Sequence, residues 1–207
     1  MRQSFSHRPD SRFTISDFRF PIHDSRFPIH DSRFPIMKAL DLLLDLTRHM
    51  EWADATVWRA VLKSPAAASD ERLRKYLHHI HMVQHAFINV WQDQPYSGDA
   101  GKDFDLVALK DWGYEFHQLA TGYMPTVNED DLDRPLNMPW AKYLTKSLGR
   151  DPSGTTKGET IMQIAAHTTY HRGQVNARLR ELGEEPPLVD FIAWLWFGKP
   201  AADWQSQ

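Results

Sequence analysis

The sequence predicts an all-α protein, a four-helix bundle with a short C-terminal helix appended. Apolar residues recur at three- and four-residue steps through four separate long stretches, the period of a helix with one buried face. Capping or breaking residues bound those stretches. A long connection, Asn128 to Gly154, separates the third stretch from the fourth, as in bundles with a crossover rather than simple hairpins.

Composition bounds the function. The chain has 207 residues, 42% of them hydrophobic, with eight Trp and eleven Phe, enough for a sizeable core in one domain with or without an appendage. A formal charge of −3 gives no electrostatic footprint for nucleic acid or an anionic membrane surface, so small molecules or proteins are the expected partners. The absence of cysteine removes disulfides, thiolate ligands and a Cys nucleophile together, so any thiol chemistry requires an imported thiol. No apolar run approaches the roughly 18 residues of a membrane span, and no signal-peptide core follows Met1, so the expected location is cytoplasmic.

Residues 1–36 are of another kind. A seven-residue unit recurs as RFTISDF, RFPIHDS, RFPIHDS and RFPI, and the proline in the later units excludes a helix. Near-identical short repeats fit duplicated nucleotides better than a packed motif. The natural start is expected at Met37, with 1–36 an extension lacking a fold and 37–207 the bundle domain; His23 and His30 belong to the repeat and receive no role.

The first helix carries Leu40, Leu43, Leu44, Thr47, Met50, Asp54, Val57, Trp58, Val61 and Leu62 at helical spacing, and KSPAAASD breaks it. Asp54 is a carboxylate inside an apolar stripe and needs a hydrogen-bond or metal partner to offset its desolvation. The second helix runs from Ser69 or Asp70 to Trp91. Its apolar arc includes His79, whereas His78 and His85 fall on the opposite side and His81 near the far edge, so His81 and His85 are expected to be exposed. The third helix spans Phe104 to Tyr123, modestly weakened by Gly113. The connection after Pro125 offers Arg134, Trp140 and Lys142 as substrate contacts.

The fourth helix, in ETIMQIAAHTTYHRGQVNARLRELG, is marked at both ends. Thr156 and Glu159 form a capping-box pattern, Gly183 suits a left-handed C-cap, and Pro186 and Pro187 prevent continuation. His167 and His171 stand one turn apart, His171 in the expected buried stripe and His167 at its margin, close enough for both rings to reach one metal ion. The pair reads either as half of a metal site or as two core histidines bonded to backbone; His79 is the best candidate to meet it across the bundle. Gln174 is placed to orient a bound group near His171, and Arg172 is expected at the surface. The tail LVDFIAWLWFGKP is too apolar to be free, and its Trp194 and Trp196 are candidates to cover a dimer surface.

HMEWAD, YLHHIHMVQH and AAHTTYHRGQV, with its HxxxHRGQ core, together resemble the DinB/YfiT superfamily of metalloenzyme-like bundles over about Leu40 to Trp196. The resemblance implies an up-down-down-up four-helix bundle, often dimeric, with His79, His167 and His171 as ligands of a divalent metal. The family commonly has Asn where this chain has Asp54. The resemblance also implies a metal-dependent enzyme, thiol-dependent transferase or hydrolase-type chemistry at an open coordination position, with a low-molecular-weight thiol as cosubstrate. Asp54 and Gln174 would support the site from behind the ligands. Zinc is the first expectation for the ion, and nickel, manganese and iron also suit imidazole. The alternative is a non-catalytic stress-response protein that binds a small ligand or a partner through a metal-stabilised dimeric bundle. Ferritin-like chemistry is excluded because no Glu has a His three residues later, and the zincin H-E-x-x-H is absent.

Overall fold

A computed structural model describes residues 38–95 and 97–205; the repeat, His23, His30 and the boundary expected at Met37 lie outside them. Among the described residues the elements are α1 (Ala39–Lys63), α2 (Pro65–Ala68), α3 (Glu71–Trp91), α4 (Leu106–Tyr123), α5 (Thr145–Leu148), α6 (Lys157–Glu181) and α7 (Phe191–Trp196), with a two-residue hairpin pairing β1 (Pro135–Leu136) to β2 (Thr155–Thr156). None of the helices is long and apolar enough to cross a membrane.

Local chemistry sets the ends. Asp70 caps α3 by accepting from Leu73 N at 2.7 Å, and Asp105 caps α4 through Ala108 N at 2.8 Å. At α6 the Thr156 hydroxyl accepts from Glu159 N while the Glu159 carboxylate accepts from Thr156 N, the reciprocal capping box. Gly183 follows the helix at φ 85°, where a side chain would be strained. The SPAAA segment does not simply break the first helix: Pro65 starts the short α2, with Ser64 Oγ accepting from Ala67 N. Pro135 and Leu136 are extended, antiparallel to Thr155 and Thr156, which ties both ends of the long connection together in front of α6.

The four long helices form a ring in which α1 touches α6 and α4, and α3 touches α6 and α4. Their directions follow from the core. One apolar layer joins Leu43 and Met50 of early α1 to Phe87 and Trp91 of late α3, Phe116 and Ala120 of late α4, and Ile161 and Ile164 of early α6. The other joins Val57 and Val61 of late α1 to Leu73 and Leu77 of early α3, Leu109 of early α4, and Val175 and Leu179 of late α6. So α1 and α6 run one way and α3 and α4 the other: up, down, down, up. Residues 97–105 run back along the bundle against α3, where His78 Nε2–H donates to Ala100 O and Arg74 Nη1 to Phe104 O. Each large apolar side chain in these layers contributes about 1.5–3 kcal/mol by leaving water.

The tail packs as α7. Trp194 is 1% exposed, enclosed with Trp52 and Ala53 of α1, and His49 Nε2–H donates to Val189 O at 2.9 Å. Trp194 is therefore core of this chain rather than dimer surface; Trp196, 80% exposed, is not.

Between the apolar layers lies a buried polar one. Trp58 Nε1–H donates to His81 Nε2 at 2.9 Å, His81 Nδ1–H donates to Gln84 Oε1 at 2.7 Å, and Gln84 Nε2 donates to Asp54 Oδ2 at 2.8 Å and to the Thr168 hydroxyl at 3.4 Å. His117 Nε2–H donates to the same Asp54 oxygen at 3.0 Å, and Arg172 Nε sits 3.6 Å from Asp54 Oδ1. Asp54 thus links α1 to α3, α4 and α6.

This layer corrects two expectations. His81 and His85 are buried, not exposed, with His85 stacked on Trp112 and donating to its carbonyl at 2.8 Å. Arg172 is 3% exposed, not at the surface. Hydrophobic periodicity assigns polar residues outward, and here a buried carboxylate and a glycine make room for them inward. Gly113 of α4 is that glycine: a Cβ there would lie 2.4 Å from the His81 ring.

Candidate metal centre

Three imidazoles meet midway along the α3/α6 seam. His79 projects from α3, and His167 and His171 from consecutive turns of α6. His79 Nε2 and His167 Nε2 are 3.2 Å apart. The ring centroids are 5.2 Å apart for His79 and His167, 4.4 Å for His79 and His171, and 4.3 Å for His167 and His171. One nitrogen from each falls within 4.8 Å of the other two, so the group could hold a metal ion. All three are half-buried, so the site opens to solvent.

The placement follows from the helix. The buried stripe of α6 is Ile161, Ile164, Ala165, Thr168, Arg172, Val175 and Leu179. His171, expected in that stripe, lies outside it; Arg172 takes the inward position, and both histidines lie to one side of it. That places them at the groove beside α3 rather than in the core, where His79 reaches them.

The electrostatics favour the neutral form of His167 and His79. Desolvation, then the neighbouring His171 and His79, push the His167 pKa down to about 4. Desolvation first, with His171 and His78 adding to it, also lowers His79. A metal-ligating imidazole must offer an unprotonated nitrogen, so the depression favours the ligand form. The Nε2 separation of His79 and His167 is close to the roughly 3.3 Å between two ligand nitrogens bound tetrahedrally at about 2.0–2.1 Å.

Gln174 settles the orientation of the third ring. Its Oε1 accepts from His171 Nδ1–H at 2.8 Å, which leaves the Nε2 lone pair free. Gln174 therefore acts on a histidine rather than directly on a bound group. The same i,i+3 arrangement occurs at His81 and Gln84 in the core, one device used at both places. Tyr170, not singled out by the sequence pattern, packs edge-on against His171 at 4.9 Å and is 66% exposed, forming a side wall.

Asp54 does not reach the cluster as a ligand. Burial raises its pKa, but Arg172 and the His117 hydrogen bond more than offset this and hold it at about 2. It carries the charge that offsets Arg172, whose backbone adjoins His171. Arg134, Trp140 and Lys142 are at the end of the bundle where α6 begins, roughly 15 Å down the helix axis from His167. There Arg134 O accepts from Lys157 N at 2.9 Å, Trp140 packs edge-on to Phe87, and exposed Lys142 lies over Tyr143.

The model of the DinB family matches residues 142–201, a span that includes His167 and His171 but not His79. Over that span the chain is DinB-like. No curated protein matches it.

Proposed function

We propose that this DinB-like chain is a metal-dependent enzyme in which His79, His167 and His171 hold one divalent ion and leave a coordination position open to a water or a low-molecular-weight thiol. The observation carrying this reading is the convergence of the three rings, whose ligand atoms lie within 4.8 Å of one another, with no Asp, Glu or fourth His joining them among the described residues. Three protein ligands with an open position fit a catalytic site, whereas closed structural sites take four. Zinc suits an all-imidazole tetrahedral set, and nickel, manganese or iron are the alternatives the chemistry of imidazole admits.

The chain's own residues prepare the site. Burial and the neighbouring imidazoles favour the unprotonated form of His79 and His167, and Gln174 holds the His171 ring by its Nδ1–H. Below them the charged pair Asp54 and Arg172 joins α1 to α6 next to His171. Tyr170 screens one flank. A divalent ion bound here supplies a Lewis acid that lowers the pKa of water or thiol, giving a nucleophile near neutral pH. The chain has no cysteine of its own, so the thiol of a transferase reaction would come as cosubstrate.

The test is turnover of small electrophiles with glutathione-type or other low-molecular-weight thiols, before and after chelation. Activity lost with the metal and restored on its return supports the enzyme. Background rates with every thiol and electrophile, in protein that retains its metal, would favour the non-catalytic binding protein. A cytoplasmic homodimer is the proposed setting. Exposed Leu42 of α1 and Met162 of α6 line one apolar groove, and Trp196 stands clear of the core; sedimentation at micromolar concentration distinguishes dimer from monomer.

A further inference from the structure

The α1/α4 side of the ring is opposite the α3/α6 seam that carries the three imidazoles, and it contains a cavity of about 520 Å³. That is a volume typical of small-molecule sites. Its apolar lining includes Leu62, Val107 and Trp204, and Leu62 and Val107 are 42% and 59% exposed, large apolar groups left facing open space. The charged lining is cationic, with Gln205 a neutral polar neighbour. Arg59, Lys63 and Lys110 line the cavity and no carboxylate does.

Those cations differ in availability. Arg59 Nη1 is tied to Asp203 at 3.0 Å, and Lys110 Nζ lies 3.1 Å from Asp111. Lys63 has no acidic partner among the described residues and stands at the C-terminal end of α1. Lys63 is exposed and hydrated; a neutral apolar ligand seated beside it would strip water from the ammonium without replacing it, while a dianion would exceed the one unpaired cation. An apolar body with a single negative charge satisfies both halves of the lining.

We propose that this cavity is a second ligand site, separate from the imidazole cluster, for a small amphipathic monocarboxylate whose apolar body lies against Leu62, Val107 and Trp204 and whose carboxylate meets Lys63, with Lys110, shared with Asp111, adding to the positive field. The floor of the cavity is Trp58, which donates to His81 in the polar layer. None of the three imidazoles lines the cavity, so the site does not depend on the metal reading.

Isothermal titration of the full chain with hexanoate, 3-phenylpropionate and indole-3-propionate tests it, with 3-phenylpropanol as the neutral isostere. The expected result is saturable binding of at least one acid, at least tenfold tighter than the alcohol. Lys63→Glu/Lys110→Glu and the milder Lys63→Gln/Lys110→Gln should each weaken it, the former at least tenfold. Val107→Trp, at an exposed position, should fill the cavity and abolish binding, with cooperative melting showing that the variants fold. His79→Ala should leave it unchanged. No saturable binding by any of the acids, equal binding of acid and alcohol, or full binding by Val107→Trp would overturn the proposal.

Discussion

Arg172 Nε lies 3.6 Å from Asp54 Oδ1, and both side chains are buried in the centre of the bundle. Arg172 is the residue after His171, so the pair ties the helix bearing two of the imidazoles to α1. Among the described residues none of the guanidinium nitrogens makes a hydrogen bond, which leaves the carboxylate as its main compensation. Removing one member of a buried pair strands the other, at a cost of about 3–5 kcal/mol. Asp54→Ala should therefore lower unfolding stability by that amount in a denaturant titration. Adding Arg172→Met should recover only the part of the loss that the stranded guanidinium causes, because Gln84 Nε2 and His117 Nε2–H also lose their acceptor; a double variant as unstable as the single would mean the charge of Arg172 is balanced elsewhere.

Gln174→Ala should act on the site without unfolding the bundle. It removes the acceptor for His171 Nδ1–H at a partly exposed position. Loss of such a partner typically weakens metal binding by about 10–100-fold. Competition against a chelator measures it, and unchanged affinity would show that the ring needs no such support.

Gly113→Ala probes the polar layer from α4. The added methyl would lie 2.4 Å from a buried His81 ring that is bonded on both nitrogens and cannot step aside cheaply. Despite the gain in helix propensity, the variant should be less stable by about 1–3 kcal/mol. An increase in melting temperature would contradict the packing described.

The chelator-treated protein should lose stability as pH falls from 6.5 toward 4. Burial pushes His81 down to about 4, and desolvation lowers His49 and His85 as well. Below pH 6.5 the unfolded chain takes up protons on these groups before the folded chain does. Their contribution is thus fully present above pH 6.5 and is lost as pH falls through the folded values, about 3 kcal/mol for His81 alone. Asp54, held at about 2, titrates below this window. Denaturation midpoints measured from pH 7.5 to 4.5 should decline; a flat series would mean that the histidines are not buried neutral.

What the sequence makes legible here is local or periodic. The Thr156 and Glu159 box, the Gly183 cap and the one-turn spacing of His167 and His171 each depend on residues within four positions, and each is found where it is expected. His79 was reachable because its own helix is amphipathic. Arg172, His81 and His85 were not, because their burial is licensed by residues on other helices: Asp54 for Arg172, Trp58 and Gly113 for His81, Trp112 for His85. A hydrophobicity pattern scores such residues as outward. The repeated His-x-x-Gln spacing, at His81 and Gln84 and again at His171 and Gln174, was the available clue.

The most direct test of the central claim is metal content per chain, by elemental mass spectrometry on untagged protein, with His79→Ala, His167→Ala and His171→Ala measured alongside. Close to one divalent ion per chain is expected in the wild type, with its loss from every one of the three folded variants. A wild type that neither carries nor takes up zinc, nickel, manganese or iron would contradict it, and the three imidazoles would then be polar residues of the α3/α6 seam.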